Sequence, residues 1–459
     1  MSLMCLAPLR TCFEGAVPSA LATCGDDGMP NIAYLSQVQY VDPRHVATTF
    51  QFFNKTRKNI LANPHALLKV VDPYTGGGYK LHVRYLRTET SGPLFESMKA
   101  KLAGIASHTG MAEVFKLLGA DIYEVRQIET VVQPSLARQA SHQDHLPKLR
   151  HISTAMGACR DLGELLEQTL SLLQSVCDIH HTMLLKLDEC GTRLFTMASR
   201  GYAQSGVGSE IPMGHGVIGV AARERTPIRI SHMTSEYIYG KAVRGSAEAQ
   251  GLHAKLETAI PMPGLPESRS QLAVPILIGA TLYGVLYVES PEDLRFTYDD
   301  EDLLQVVANQ FGWMAQSLAR SEGPEASTDP ALPAVPDAPL AAAPTAPALV
   351  DGKPVLVRYF RADHSVFLDE DYLIKGVAGA IFWKLVQTHQ QEGRDQFTNR
   401  ELRLAPDLSL PDIADNLEAR LVLLQRRLAE RSPAVRMHKT GRGRFQLQVL
   451  QALKLQRVD

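Results

Sequence analysis

Apolar and polar residues alternate with a period of two through the first third of the chain and with a helical period at its middle and end. Residues 31–41 read as one half-buried strand; Pro43 and Arg44 break it, and residues 45–53 form a second. A short helix closed by Asn63-Pro64 follows, then strands over 66–71 and 79–87 around a glycine-rich turn. Residues 95–118 have helical spacing, and 121–132 return to a strand. Strands with turn punctuation and one inserted helix predict a small barrel.

The middle of the chain begins with Leu149, Ile152, Met156, Leu162, Leu165, Leu166 and Leu173 at helical spacing. Strands are predicted over 182–187, 194–199 and 227–230, with a glycine-bearing loop at 212–222 opening a short helix. Residues 272–278 and 283–289 form an apolar hairpin. Thr297 then caps a last helix whose first turn carries Asp299, Asp300 and Glu301. Residues 237–270 are irregular and proline-bearing, which suits either a pocket lid or a disordered insertion. Near the end, a hairpin (355–360, 365–368) precedes helices at 377–387 and 397–402. Ile413, Leu417, Leu421, Leu424 and Leu428 then make a single apolar stripe, with Val422 and Leu423 on the outward side beside Asp412, Asp415 and Glu418. A basic hairpin over 435–449 closes the pattern.

Composition divides these elements. More than half of residues 321–350 are alanine or proline, a semi-extended linker that reaches up to roughly 90 Å and leaves the last unit tethered rather than packed. The predicted units are 1–134, 148–320 and 352–459, joined by linkers at 135–147 and 321–351. A net charge of −2 in 459 residues excludes a globally polyanion-binding chain, so any nucleic-acid contact is local. No apolar run approaches the ~20 residues that span a bilayer, and the N-terminus lacks the pattern of a secretory leader. Six cysteines without Cys-x-x-Cys spacing suit a reducing cytoplasm and argue against a metal site.

The densest chemistry lies at residues 51–59. Gln51, Phe52 and Phe53 end a strand; Asn54, Lys55, Thr56, Arg57, Lys58 and Asn59 open a helix. Free backbone N–H groups at a helix start attract anions, and added cations and a hydroxyl make a phosphate seat. With Asp27-Gly28-Met29-Pro30-Asn31 and Asn63-Pro64, this block resembles the pyridoxamine-phosphate-oxidase-like split barrels. The resemblance implies FMN, with Thr56, Arg57 and Lys58 on its phosphate, Gln51 to Phe53 along its ring system, and a homodimer. The family's substrate-holding arginine and serine pattern is not evident here, which sets oxidation of a B6 vitamer aside.

Gly216-Val217-Ile218-Gly219, Val274-Pro275-Ile276 and Gly284-Val285-Leu286-Tyr287-Val288 resemble a GAF domain, an α/β sandwich with a central antiparallel sheet. That implies an unnamed small-molecule ligand. The last unit resembles OmpR-type winged helices, with 420–428 as recognition helix and 440–447 as wing. Between Arg420 and Arg444 eight basic residues face one acidic one. Arg420, Arg426, Arg427, Arg431, Lys439, Arg442 and Arg444 are the expected DNA contacts. Val422 and Leu423 lack the donors and acceptors of base readout, so this outward face meets either DNA or a protein. The whole reads as a multidomain α+β chain: a cytoplasmic, dimeric flavin-binding sensor coupled through GAF to DNA. The alternative is an FMN-dependent oxidoreductase regulated by its GAF domain.

Overall fold

The computed structural model describes residues 5–35, 37–51, 55–108, 117–135, 145–231, 260, 262–321, 354–405, 408, 416–441 and 443–458. They build a multidomain α+β protein with several antiparallel sheets. No helix among them is long and apolar enough to cross a membrane.

The first unit is a seven-stranded sheet of order β2-β1-β5-β6-β7-β4-β3. Its strands are β1 (Ser19–Cys24), β2 (Pro30–Leu35), β3 (Val38–Asp42), β4 (His45–Phe50), β5 (His65–Val71), β6 (Gly78–Glu89) and β7 (Gly119–Val132). Helix α1 (Lys55–Ala62) follows β4, and α2 (Pro93–His108) links β6 to β7. Leu21, Val46, Leu68, Leu81 and Val125 fill one face, while Phe95, Met98 and Ile122 pack under α2 on the other. The strand expected over 31–41 is two strands on opposite edges of the sheet. β2 pairs with β1 and β3 pairs with β4, so an unbroken alternation conceals a crossover before Gln37. The helix expected over 95–118 begins at Pro93, and residues 109–116 lie outside the described set.

The middle unit places α3 (His145–Gly157), α4 (Leu162–Cys177), α5 (Gly216–Glu224) and α6 (Tyr298–Ser321) about a six-stranded antiparallel sheet. Its strands are β8 (His181–Leu187), β9 (Arg193–Arg200), β10 (Glu210–Pro212), β11 (Ile228–Ile230), β12 (Ser270–Ile278) and β13 (Thr281–Ser290). The helical pattern from Leu149 thus divides into α3 and α4, and α3 starts inside the expected linker. Asp161 breaks the run: its carboxylate accepts from Glu164 N at 2.9 Å, and Glu164 Oε2 accepts from Arg160 N at 2.9 Å. Thr297 and Asp300 cap α6 in the same reciprocal way. Gly284 permits close strand approach, since a Cβ there would stand 2.0 Å from the Leu185 carbonyl oxygen.

The last unit has a sheet of β14 (Val355–Phe360), β15 (Ser365–Leu368), β16 (Asp371–Ile374) and β20 (Leu453–Val458), with β20 parallel to β14. α7 (Gly376–Glu392), β17 (Gln396–Thr398), the short α8 (Asn399–Arg403) and α9 (Asn416–Arg431) lead to the hairpin of β18 (Val435–Gly441) and β19 (Arg444–Val449). Packing corrects the expectation of a free tether. One apolar cluster runs from Leu165, Leu173 and Phe311 of the middle unit to Val357, Trp383 and Leu424 of the last. Burying apolar side chains across that boundary is worth about 25 cal/mol per Å² removed from water, which outweighs the reach of a long connection.

The first and middle units are joined by a buried ionic bolt. Arg229 on β11 is 1% exposed and donates to Glu14 and, at 2.9 Å, to Glu301; its guanidinium lies 4.1 Å over the Tyr298 ring. Tyr298 N donates to Glu14 Oε1 at 3.1 Å, and the Tyr298 hydroxyl accepts from Tyr40 N at 3.3 Å. Burial works to lower the Arg229 pKa, and the Glu14 and Glu301 carboxylates outweigh it and raise it.

Candidate functional sites

The seat at the start of α1 opens on a cavity of about 130 Å³. Thr56 and Arg57 line it together with Phe50, Gln51, Asp121 and Tyr123. The Thr56 hydroxyl accepts from Asn31 Nδ2 at 2.9 Å. Arg57 lies 4.3 Å over the Phe50 ring and donates to Asp121 Oδ1 at 2.5 Å, so its charge is already opposed by a buried carboxylate. Burial raises the Asp121 pKa, against the pull of Thr88 and Arg57. Lys55 and Lys58 are exposed, whereas Asn59 is buried and donates to Thr23 Oγ1 at 3.1 Å, a structural contact. Phe52, Phe53 and Asn54 lie outside the described residues. The cavity therefore gathers Gln51, Thr56 and Arg57 but not the two lysines. Asp121, 64 positions from Arg57, is a member that sequence spacing does not reveal.

The cation-bearing helix α9 is not an open face. Val422 and Leu423, expected to point outward, are buried at 6% and 3% exposure. Val422 approaches Gly163 and Leu423 approaches Gly208, both in the middle unit. Arg420 donates to Glu189 at 3.1 Å and stands 4.3 Å over the Phe195 ring. Arg426 lies 3.7 Å from Glu167, and Lys439 on β18 lies 3.2 Å from both Asp161 and Glu418. Burial lowers the Arg426 pKa, with Glu167 opposing. Arg427 is 3% exposed and donates to the carbonyls of Leu373 and Tyr372, which makes it a core contact rather than a surface cation. Arg431 and Arg444 are exposed; Arg442, Asp412, Ile413 and Asp415 lie outside the described residues.

A third cluster sits in the middle unit. Glu289 on β13 is buried and accepts from Leu265 N at 3.0 Å and from the Tyr287 hydroxyl at 3.3 Å. Tyr202 stands edge-on to His181 with ring centroids 5.5 Å apart. Burial, and then the Glu289 carboxylate, raises the Tyr202 pKa; burial lowers that of His181, with Glu289 opposing. Tyr287 and Glu289 share one face of β13 by their spacing, the only sequence signal for this group. Among the described residues no group of three His, Cys, Asp or Glu side chains is placed to hold a metal ion.

Comparison with known proteins identifies one unit. Residues 161–314 match the GAF domain family, beginning at the Asp161 cap of α4. The GAF domain of an Acinetobacter phosphoenolpyruvate-protein phosphotransferase is 19% identical over 41% of this chain and 98% of its own, with a TM-score of 0.30. An FMN-binding protein from Syntrophomonas wolfei subsp. wolfei is 17% identical over 29% of this chain and 88% of its own, with a TM-score of 0.24. HupZ of Group A Streptococcus is 21% identical over 28% of this chain and 98% of its own, with a TM-score of 0.23. No curated protein matches the sequence.

Proposed function

We propose that this GAF-containing chain is a sensor and transcriptional regulator. Its first unit is a flavin-binding split barrel, its GAF domain senses a small ligand and couples it, and its last unit is a DNA-binding winged helix. The observation that carries this reading is the seating of α9 on the GAF domain. Arg420, Arg426 and Lys439 are held by Glu189, Glu167 and Asp161. Those cations cannot meet phosphate while they hold GAF carboxylates, so any ligand that favours an undocked GAF favours DNA. The order β17, α8, α9, β18, β19 supports the winged-helix assignment, with Lys439 and Arg444 on the wing strands.

FMN fits the α1 seat in part. Thr56, the α1 amides and Lys58 would hold its phosphate, and Gln51 would flank its ring; Arg57 would share itself with Asp121. A flavin there supplies electron-transfer chemistry. The cavity is smaller than the roughly 300–1,000 Å³ of whole-ligand sites, so a second copy would complete it. The edge strand β2 offers the surface for that homodimer, with Ile32 72% and Tyr34 83% exposed. A cytoplasmic location keeps the thiols reduced.

An FMN-dependent oxidoreductase regulated by its GAF domain is the second reading. It is favoured by Asp121, a carboxyl whose pKa burial raises, beside Tyr123 in the same cavity. The test is an absorption spectrum of purified protein with cofactor extraction, followed by DNA retention across a salt series and by NAD(P)H turnover. Flavin with salt-dependent DNA binding supports the regulator; flavin with turnover and no DNA binding supports the enzyme. Colourless protein that ignores DNA overturns both.

A further inference from the structure

A second cavity, about 270 Å³, lies where the first unit meets the GAF domain. Phe13, Ala16, Ile230 and Leu294 give it apolar walls, and Gln37 and Lys101 supply polar heads. Gln37 is 7% exposed, and its Oε1 has no hydrogen-bond partner among the described residues. Burying a carbonyl without a donor is unfavourable, so it calls for one. Lys101 Nζ donates to Gln39 Oε1 at 3.1 Å, and no carboxylate among the described residues lies within ion-pair distance of it. An ammonium has three protons to donate, so Lys101 calls for an anion.

Two constraints narrow the occupant. Gln37 Nε2 donates to the same Gln39 Oε1 at 3.2 Å, so the Lys101 ammonium and the Gln37 amide are near neighbours. The donor and the anion of the ligand therefore lie close together, as two groups on one carbon do. The surroundings are also balanced, because Arg229 and Lys101 offset Glu14 and Glu301, while Asp293 is held by Arg269 at 3.1 Å. A net anion would upset that balance, whereas a zwitterion preserves it. Apolar volume remains for a side chain: the cavity is nearly twice the engineered space of about 150 Å³ that takes up benzene.

We propose that this junction cavity binds a free apolar α-amino acid, its carboxylate on Lys101, its ammonium on Gln37 Oε1 and its side chain against Phe13 and Ile230. The site is separate from the α1 seat and from the GAF cluster around Glu289. Because it is lined by both units, its occupancy clamps one to the other. Burial lowers the free Lys101 pKa to about 8, Arg229 adding to that and Glu301 and Glu14 opposing. The charged and titratable groups around Lys101 are Arg229, Glu14, Glu301 and Tyr298, with Asp293 lining the same cavity. A bound carboxylate keeps Lys101 protonated, so binding takes up a proton above that pH.

The test is calorimetric titration of the full-length protein with L-leucine, L-valine and L-methionine. 4-Methylpentanoate and 3-methylbutylamine, each lacking one charge of leucine, are the controls. At least one amino acid binds, and both controls bind at least tenfold more weakly. Lys101→Met and Gln37→Leu each weaken binding at least tenfold. Ala16→Phe, at an exposed position, blocks the cavity without removing a polar group. Affinity falls by up to about tenfold per pH unit between about pH 8 and 9, and Lys101→Met flattens that slope. No heat from any of the three amino acids overturns the proposal. So does binding that survives Lys101→Met and Ala16→Phe, or a control that binds as well as leucine. Neither DNA nor flavin enters these readouts, so failure here is distinct from failure of the regulator assignment.

Discussion

Replacing Arg229 by methionine should be the most damaging single change at the junction of the first and middle units. The substitution keeps an unbranched stem of similar length but strands two carboxylates. Glu14 has a side chain 3% exposed and cannot recruit water, whereas Glu301 at 23% can in part. Removing one partner of a buried pair costs about 3–5 kcal/mol, because the other charge remains buried and unpaired. Loss of the guanidinium over Tyr298 adds about 0.5–2 kcal/mol. With only one of the two carboxylates fully trapped, a loss of about 4 kcal/mol is expected. For a unit of this size that lowers Tm by roughly 8–16 °C. The assay is thermal unfolding followed by circular dichroism and by the fluorescence of Trp313 and Trp383. Glu14→Gln combined with Arg229→Met should recover about half the loss, since the double change leaves no trapped charge. A loss under about 1 kcal/mol, or a double variant no better than the single, would falsify the picture of a buried ionic bolt.

Three further outcomes follow from the sites. Arg57→Ala with Lys58→Ala should lower flavin content at least tenfold and cost about 1–3 kcal/mol, since Asp121 is left buried without its cation; unchanged flavin after denaturing extraction would move the phosphate elsewhere. Glu167→Lys with Glu189→Lys should tighten DNA binding by about tenfold in a mobility assay, the two part-exposed pairs being worth about 1 kcal/mol or less each; unchanged affinity would mean that docking does not compete with DNA. Burial works to raise the Asp161 pKa, and the Glu164 N–H and Lys439 outweigh it and hold the folded value below the ordinary aspartate value. Its stabilisation is thus complete above that value and lost as pH falls through the lower folded one. Asp161→Ala should cost about 1 kcal/mol at pH 7 and nothing extra at pH 2 in urea melts; an equal loss at both would contradict the charge-based cap.

Much of the scaffold was legible because it is periodic. The GAF hairpin of β12 and β13, the Thr297 cap and the strands β5 to β7 stood where alternation and capping residues put them. β1 was not legible: Ser-Ala-Leu-Ala-Thr-Cys holds one large apolar residue, and its burial comes from neighbours on both sides. Helix α9 showed one apolar stripe in the sequence but buries two faces. It is packed between α7 and β16 on one side and α4 and β9 on the other, and nothing local announces the second partner. The sites divide the same way. Arg57 and Thr56 were visible as a local cluster, whereas Asp121 on Arg57 and Glu14 on Arg229 are pairings that only the tertiary fold makes.

The carboxylates beneath α9 have a consequence for how buffer ions act. A cation that leaves bulk solvent for a phosphate releases condensed counterions from DNA, and added salt opposes that step. Arg420, Arg426 and Lys439 start instead from Glu189, Glu167 and Asp161, and added salt favours their release. The two dependences have opposite sign. On the proposed DNA-binding reading, a plot of log affinity against log salt should therefore be shallower for the intact chain than its number of phosphate contacts implies, and should flatten first at low ionic strength, where the internal pairs are strongest.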